Sequence, residues 1–197
     1  MEWGMLLVGQ VEFYWDEHFR PRLDGLTDAE YLWEPVEGCW SVRPGPDGRP
    51  VMDPVSNAAM DSVTDSESPD AKPEPITTIA WRMLHIGIGC FATRVSTFFG
   101  DGSVPDDADM FDARHEPTEL PTSAAEAVDF LDRSYGAWHA GIAGLDDDAL
   151  AQPLGPKGSF FADDSMAALI VHINREVMHH GGEIGVLRDL YRARYAS

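Results

Sequence analysis

Residues 166–194 read MAALIVHINREVMHHGGEIGVLRDLYRAR and carry the clearest helical period in the chain. Alternating steps of four and three pick out Met166, Ile170, Ile173, Val177, His180, Ile184, Leu187 and Tyr191, the inward seam of a helix packed among others. His180 is the polar residue on that seam. The neighbouring stripe runs Leu169, His172, Glu176, His179, Glu183, Val186 and Leu190, apolar at both ends and ionisable in the middle. Glu176 and His180 are four apart, so they stack on one face a turn from each other. Pointing inward, they could supply two ligands to a divalent cation, with a third required from another helix.

A single histidine on an apolar seam is ordinarily a satisfied core residue. Five ionisable groups within about three turns are a different matter, because every buried polar group needs its own partner. A shared cation satisfies several of them together. Gly181 and Gly182 follow directly, each weakening a helix by roughly 1 kcal/mol relative to alanine. That pair predicts close approach of another backbone or of a ligand.

Outward from this stretch, three more long helices are expected. Leu7, Val11, Tyr14 and His18 share one face of a first helix over about Trp3 to Leu23, ended by Pro21 and Gly25. Thr27 and Glu30 have capping-box spacing and predict a short turn before Pro35. Gly38 to Pro44 reads as an ordered loop anchored by Trp40. Gly45 to Pro75 is rich in Pro, Gly, Asp and Ser and predicts a long irregular loop, a lid or a linker. Thr77 or Thr78 caps the second long helix, which is apolar nearly all round and expected to be the most buried. One of its stripes is Trp81, His85, Ile88, Ala92, Val95 and Phe99, so His85 again interrupts an apolar seam. Two inward imidazoles on two helices fit an interhelical metal site, and they also fit two unrelated core histidines. Ser123 with Glu126 caps the third long helix, which continues to Gly144. Asp163, Asp164 and Ser165 cap the last. No segment alternates as a strand over a useful length, so the expected class is all-α, an antiparallel four-helix bundle.

Composition narrows the functions. The chain has 197 residues, 44% of them hydrophobic, which fits one globular domain over residues 1–197. Its net charge of -20, from 14 Lys+Arg against 34 Asp+Glu, repels nucleic acid and anionic membrane surfaces. Cys39 and Cys90 show no CxxC spacing, which fits a reducing cytoplasm better than a disulfide framework. The first residues, MEWGMLLVGQVEF, lack a basic region and are interrupted by Gln10 and Glu12, so neither a signal peptide nor a membrane span is expected.

WEPVEGCWSVRP (33–44), TTIAWRMLHIGIGCFATR (77–94) and REVMHHGGEIGVLRDLY (175–191) together resemble the DinB-like superfamily over most of the chain. The first and last of these look like an actinobacterial branch. The resemblance implies a four-helix bundle, and relatives that include thiol-dependent transferases and mycothiol-dependent maleylpyruvate isomerases. It also implies a metal site built from one histidine of the second long helix, here His85, and two histidines four apart on the last. The second of that pair falls on His180, whereas the first falls on Glu176, a departure from the three-histidine pattern. His172 and His179 match frequently occupied positions that are not the usual ligands. A two-histidine, one-glutamate set can hold zinc, nickel or iron.

The expected function is therefore a metal-assisted transferase or isomerase that uses a small thiol such as mycothiol on an electrophilic substrate. His179 and Glu183 are the candidate catalytic residues, able to orient a ligand or move a proton. Trp40 and Trp81 are candidate walls of a cofactor pocket. The expected partners are the thiol, the electrophile and a second copy of the chain, with no nucleic acid and no membrane. The competing expectation is a non-catalytic, stress-associated bundle whose polar stripe is an internal hydrogen-bond network around a degenerate metal site. The Glu176–His179 spacing also matches di-iron bundles, but those need a second such motif, and the second long helix offers none.

Overall fold

A computed structural model describes residues 3–53 and 75–195. The first helix, α1, starts at Trp3–Phe13, widens into a π-helical stretch at Tyr14–Phe19 and tightens into a 3-10 turn at Arg20–Leu23. Pro21 sits near the start of that turn, where its missing N–H costs nothing, and Gly25 at φ 69° turns the chain away. A short helix, α2 (Asp28–Tyr31), follows, with the Thr27 side chain accepting from the Glu30 amide. Only that half of the expected capping box forms. The Glu30 carboxylate instead points into the core and pairs with Arg188.

The segment from Gly38 corrects the sequence reading. Val42–Pro44 (β1) and Pro50–Met52 (β2) form a small antiparallel hairpin in which Val42 pairs with Met52 and Pro44 with Pro50. The prolines limit it to three residues per strand, because neither can donate to a ladder. The remainder of the expected irregular loop, residues 54–74, lies outside the described residues. Trp40 is stitched to the start of the next helix: its amide donates to Ile76 O at 2.9 Å, and its carbonyl accepts from Thr78 N at 2.8 Å.

The second long helix, α3, is α-helical at Ile79–Leu84, π-helical at His85–Ala92 and α-helical again at Thr93–Phe99. Thr78 is its cap, accepting from Trp81 N. The wider turn shifts the buried face, so that Ile86 and Phe91, five apart, are both fully buried, while Ala92, Val95 and Phe99 of the expected stripe are only half-buried. Thr93 Oγ1 donates to the Ile88 and Gly89 carbonyls, and its backbone N–H also donates to Ile88 O, closing the widened stretch. Ser123 and Glu126 form a full capping box at the start of α4 (Ala124–Ala143), and Asp146 caps the short α5 (Asp147–Ala151). Ser165 caps α6 (Met166–Tyr195) by accepting from Ala168 N.

The fold is all-α apart from the hairpin. α1 and α3 each pack against both α4 and α6, around one apolar core. The seam expected on α6 is observed over its centre, where Ile170, Ile173, Val177, His180, Ile184 and Leu187 are all buried, whereas Met166 and Tyr191 at its ends are half-buried. Among the described residues no helix is long and apolar enough to cross a membrane.

Candidate metal centre

The site lies where α3 and α6 cross in opposite directions, with Arg82 opposite Glu183 and His85 opposite His180. The seam and its neighbouring stripe on α6 present Glu176, His179, His180 and Glu183 toward α3 within two turns. On α3 the π-helical stretch begins at His85, and stretches of this kind occur often at functional sites.

His85, Glu176 and His180 converge as the sequence predicts. Each offers a ligand atom, and these atoms all lie within 4.8 Å of one another. His180 Nε2 is 3.2 Å from Glu176 Oε2, and the two imidazoles meet edge to face with centroids 4.7 Å apart. A second group, His179, His180 and Glu183, satisfies the same distance limit and shares His180. His180 Nδ1 is 2.7 Å from Glu183 Oε2, so the two nitrogens of one ring face the two groups.

The electrostatics suit a cation. Burial, with the neighbouring His180 and Arg82 acting in the same direction, lowers the His85 pKa to about 3, so its ring is neutral at physiological pH. The hydrogen bond with His180 holds the Glu176 carboxyl at about 2. Burial opposes charge on His180, but hydrogen bonds to Glu176 and Glu183 outweigh it and raise its pKa. Burial likewise works against ionisation of Glu183, and its bond to His180 with the charge of Arg82 prevails and lowers its pKa. Among the described residues no side chain or backbone group hydrogen-bonds the ring nitrogens of His85, although Trp81 stacks on the ring at 5.0 Å. A neutral imidazole with an unused lone pair, facing a carboxylate and a second imidazole, fits a divalent cation.

Arg82 is the residue of this cluster that sequence reasoning missed. It is 6% exposed, and its Nε lies 2.9 Å from Glu183 Oε2, with the guanidinium over the Trp81 ring. A cleft of about 1070 Å³ opens beside it, with Arg82, His179 and Glu183 among its lining residues. Its apolar walls include Val36, Ile76, Val186, Leu187 and Leu190. Trp40 and Trp81 do not line this cleft; Trp81 orients His85, and Trp40 packs on Trp81 at 5.6 Å. The glycine pair divides its roles. A Cβ at Gly181 would overlap the Tyr14 hydroxyl, so it is side chains of α1 that approach there, whereas Gly182 borders the cleft with nothing within 4 Å.

A model of the DinB superfamily matches residues 51–184, which hold all three converging residues. The chain belongs to the DinB superfamily. No curated protein and no solved structure matches it. This DinB-superfamily chain carries Glu176 at a position from which a carboxylate reaches the same point as the two imidazoles.

Proposed function

We propose that this protein is a metal-assisted enzyme, a transferase or isomerase that uses a low-molecular-weight thiol, mycothiol or one of its class, to act on a small electrophile. It would do so as a single-domain, cytoplasmic four-helix bundle. The reading rests on one observation above the others: neutral His85, without a hydrogen-bond partner among the described residues, faces Glu176 and His180 within ligand distance. His85, Glu176 and His180 would hold zinc, nickel or iron. A bound divalent cation supplies stabilisation of a thiolate at neutral pH, so the chain need not provide the nucleophile.

The side chains around that point have separable tasks. The apolar cleft walls would hold the electrophile beside Arg82, His179 and Glu183. His179, with its side chain 63% exposed and 3.5 Å from Glu183, lines the cleft and would move the proton. A homodimer would be compatible with these roles, since none needs a second copy.

The competing reading also has an observation in its favour. Glu176, His180, Glu183 and Arg82 form a chain of close polar contacts that closes without a cation. A non-catalytic bundle would need no more. Metal analysis of purified, dialysed protein, with and without added thiol, separates the two. Stoichiometric metal that is lost in His180→Ala with helix content unchanged supports the enzyme. Absence of retained metal, together with no zinc uptake on titration, would sink it.

A further inference from the structure

We infer that Glu183, clamped by Arg82, is a positioning residue that fixes the tautomer of His180 and thereby directs the cation to His85 and Glu176 rather than to His179 and Glu183. The inference rests on the metal-centre reading and goes beyond it by choosing between two overlapping groups that satisfy the same distance limit. The two groups compete for one ring. Nε2 serves the inner group, 3.2 Å from Glu176, and Nδ1 serves the outer group, 2.7 Å from Glu183.

Arg82 decides the competition. Its Nη1 is 3.2 Å from His180 Nδ1, its Nε is 2.9 Å from Glu183 Oε2, and its Nη2 is 3.3 Å from Glu183 Oε1. A guanidinium keeps its charge at any physiological pH. A divalent cation held by Nδ1 and Glu183 would therefore sit at contact distance from a like charge. Nor can Arg82 swing aside easily, because it is 6% exposed and lies over the Trp81 ring at 5.0 Å. The same ring stacks on His85, so one side chain holds both the clamp and the third ligand. With the outer position closed to cations, the 2.7 Å contact with Glu183 prevails over the 3.2 Å contact with Arg82 Nη1, so Nδ1–H donates to Glu183 and Arg82 spends its hydrogen bonds on the carboxylate. The lone pair of His180 is then at Nε2, facing the inner group. A carboxylate that accepts from the remote nitrogen of a ligand histidine is a common means of fixing ring and tautomer.

Removing Glu183 has a specific consequence. With no carboxylate to accept from Nδ1–H, Arg82 Nη1, 3.2 Å away, would donate to a bare Nδ1. The proton would move to Nε2, the nitrogen that must be bare to bind metal. Glu183→Ala should thus do more than weaken a contact; it should select the wrong tautomer. Removing Arg82 as well should release that selection.

The test uses the full chain. Long-range nitrogen–proton correlation spectra of metal-free protein, at a pH where His180 is neutral, read its tautomer. Zinc titration against a competing chelator reads affinity. Wild type is expected to show Nδ1–H, and Glu183→Ala to show Nε2–H with zinc binding weakened roughly 10–100-fold. The double variant Arg82→Met, Glu183→Ala should recover part of that loss, and His179→Ala should bind zinc as wild type does. Glu183→Gln, which keeps the shape, guards against a folding artefact and should fall between wild type and Glu183→Ala. An Nε2–H tautomer in wild type, or His179→Ala as damaging to affinity as His85→Ala, would overturn the inference. Should wild type bind no zinc at all, the functional proposal fails and the cation-directing half of this inference fails with it, while the tautomer spectra still decide whether Glu183 fixes the His180 tautomer.

Discussion

Arg188 and Glu30 form an ion pair with side chains 1% and 4% exposed, joined at 2.8 Å from Nε and 3.0 Å from Nη2. The pair fastens α2, and with it the Trp33 segment that walls the cleft, onto the C-terminal half of α6. Replacing Arg188 with Met leaves a carboxylate in the core whose remaining cation, Arg192, is 3.7 Å away and half-exposed. It also removes the donor to the Arg22 and Asp24 carbonyls at the end of α1. Breaking one side of a buried pair costs about 3–5 kcal/mol. At about 2–4 °C per kcal/mol for a chain of this size, the midpoint of thermal unfolding should fall by about 6–20 °C. Glu30→Gln, which keeps shape and one acceptor, should lose about 1–3 kcal/mol. The double variant Glu30→Leu, Arg188→Met removes both charges and should be more stable than Arg188→Met alone, though short of wild type because the two carbonyls stay without their donor. Urea unfolding followed by circular dichroism measures all four proteins. A loss below about 1 kcal/mol in Arg188→Met, or a double variant no better than that single one, would show that the pair does not carry the energy assigned to it.

Further outcomes can be checked on the same preparations. Gly182→Ala should stabilise by about 0.5–1 kcal/mol, since the site is open and helical, whereas Gly181→Ala should destabilise by about 1–3 kcal/mol through overlap with Tyr14 and Phe19; urea midpoints should move in opposite directions. Ser123→Ala should cost about 1 kcal/mol by uncapping α4. Glu126 in that box has its pKa lowered, first by the Thr122 amide, so its contribution is complete above its ordinary value of 4.5 and disappears as pH falls through the lower folded value. Glu126→Gln should accordingly flatten the acid limb of the stability profile and leave its shape near neutrality unchanged. Burial pushes the Cys90 thiol up to about 12 and raises that of Cys39, so a thiol reagent should label neither in native protein and both in urea, read by mass spectrometry.

Much of this architecture is written in local patterns. The α6 seam repeats at helical spacing over 26 residues, from Met166 to Tyr191, and a pattern of that length leaves one face to bury whatever packs against it. Glu176 and His180 are four apart on that helix, so their shared face follows from helix geometry alone, and the capping box at Ser123 needs only its own backbone. His85 was legible as an imidazole interrupting an apolar seam, though not its distance from His180. Other features have no local signature. Thr27 and Glu30 have the spacing of a box, yet Glu30 turns to an arginine 158 positions away, because a buried guanidinium offers more than a solvated amide does. Arg82 reads in sequence as one cation in an apolar helix, and its role exists only where α6 brings Glu183 and His180 against it. The π-helical turn at His85 changes which residues of α3 face inward, and helical periodicity assumes the turn it replaces. The division follows from range: periodicity, caps and i, i+4 neighbours are fixed by a few adjacent torsions, whereas the partner of a buried charge is fixed by which helices share a core.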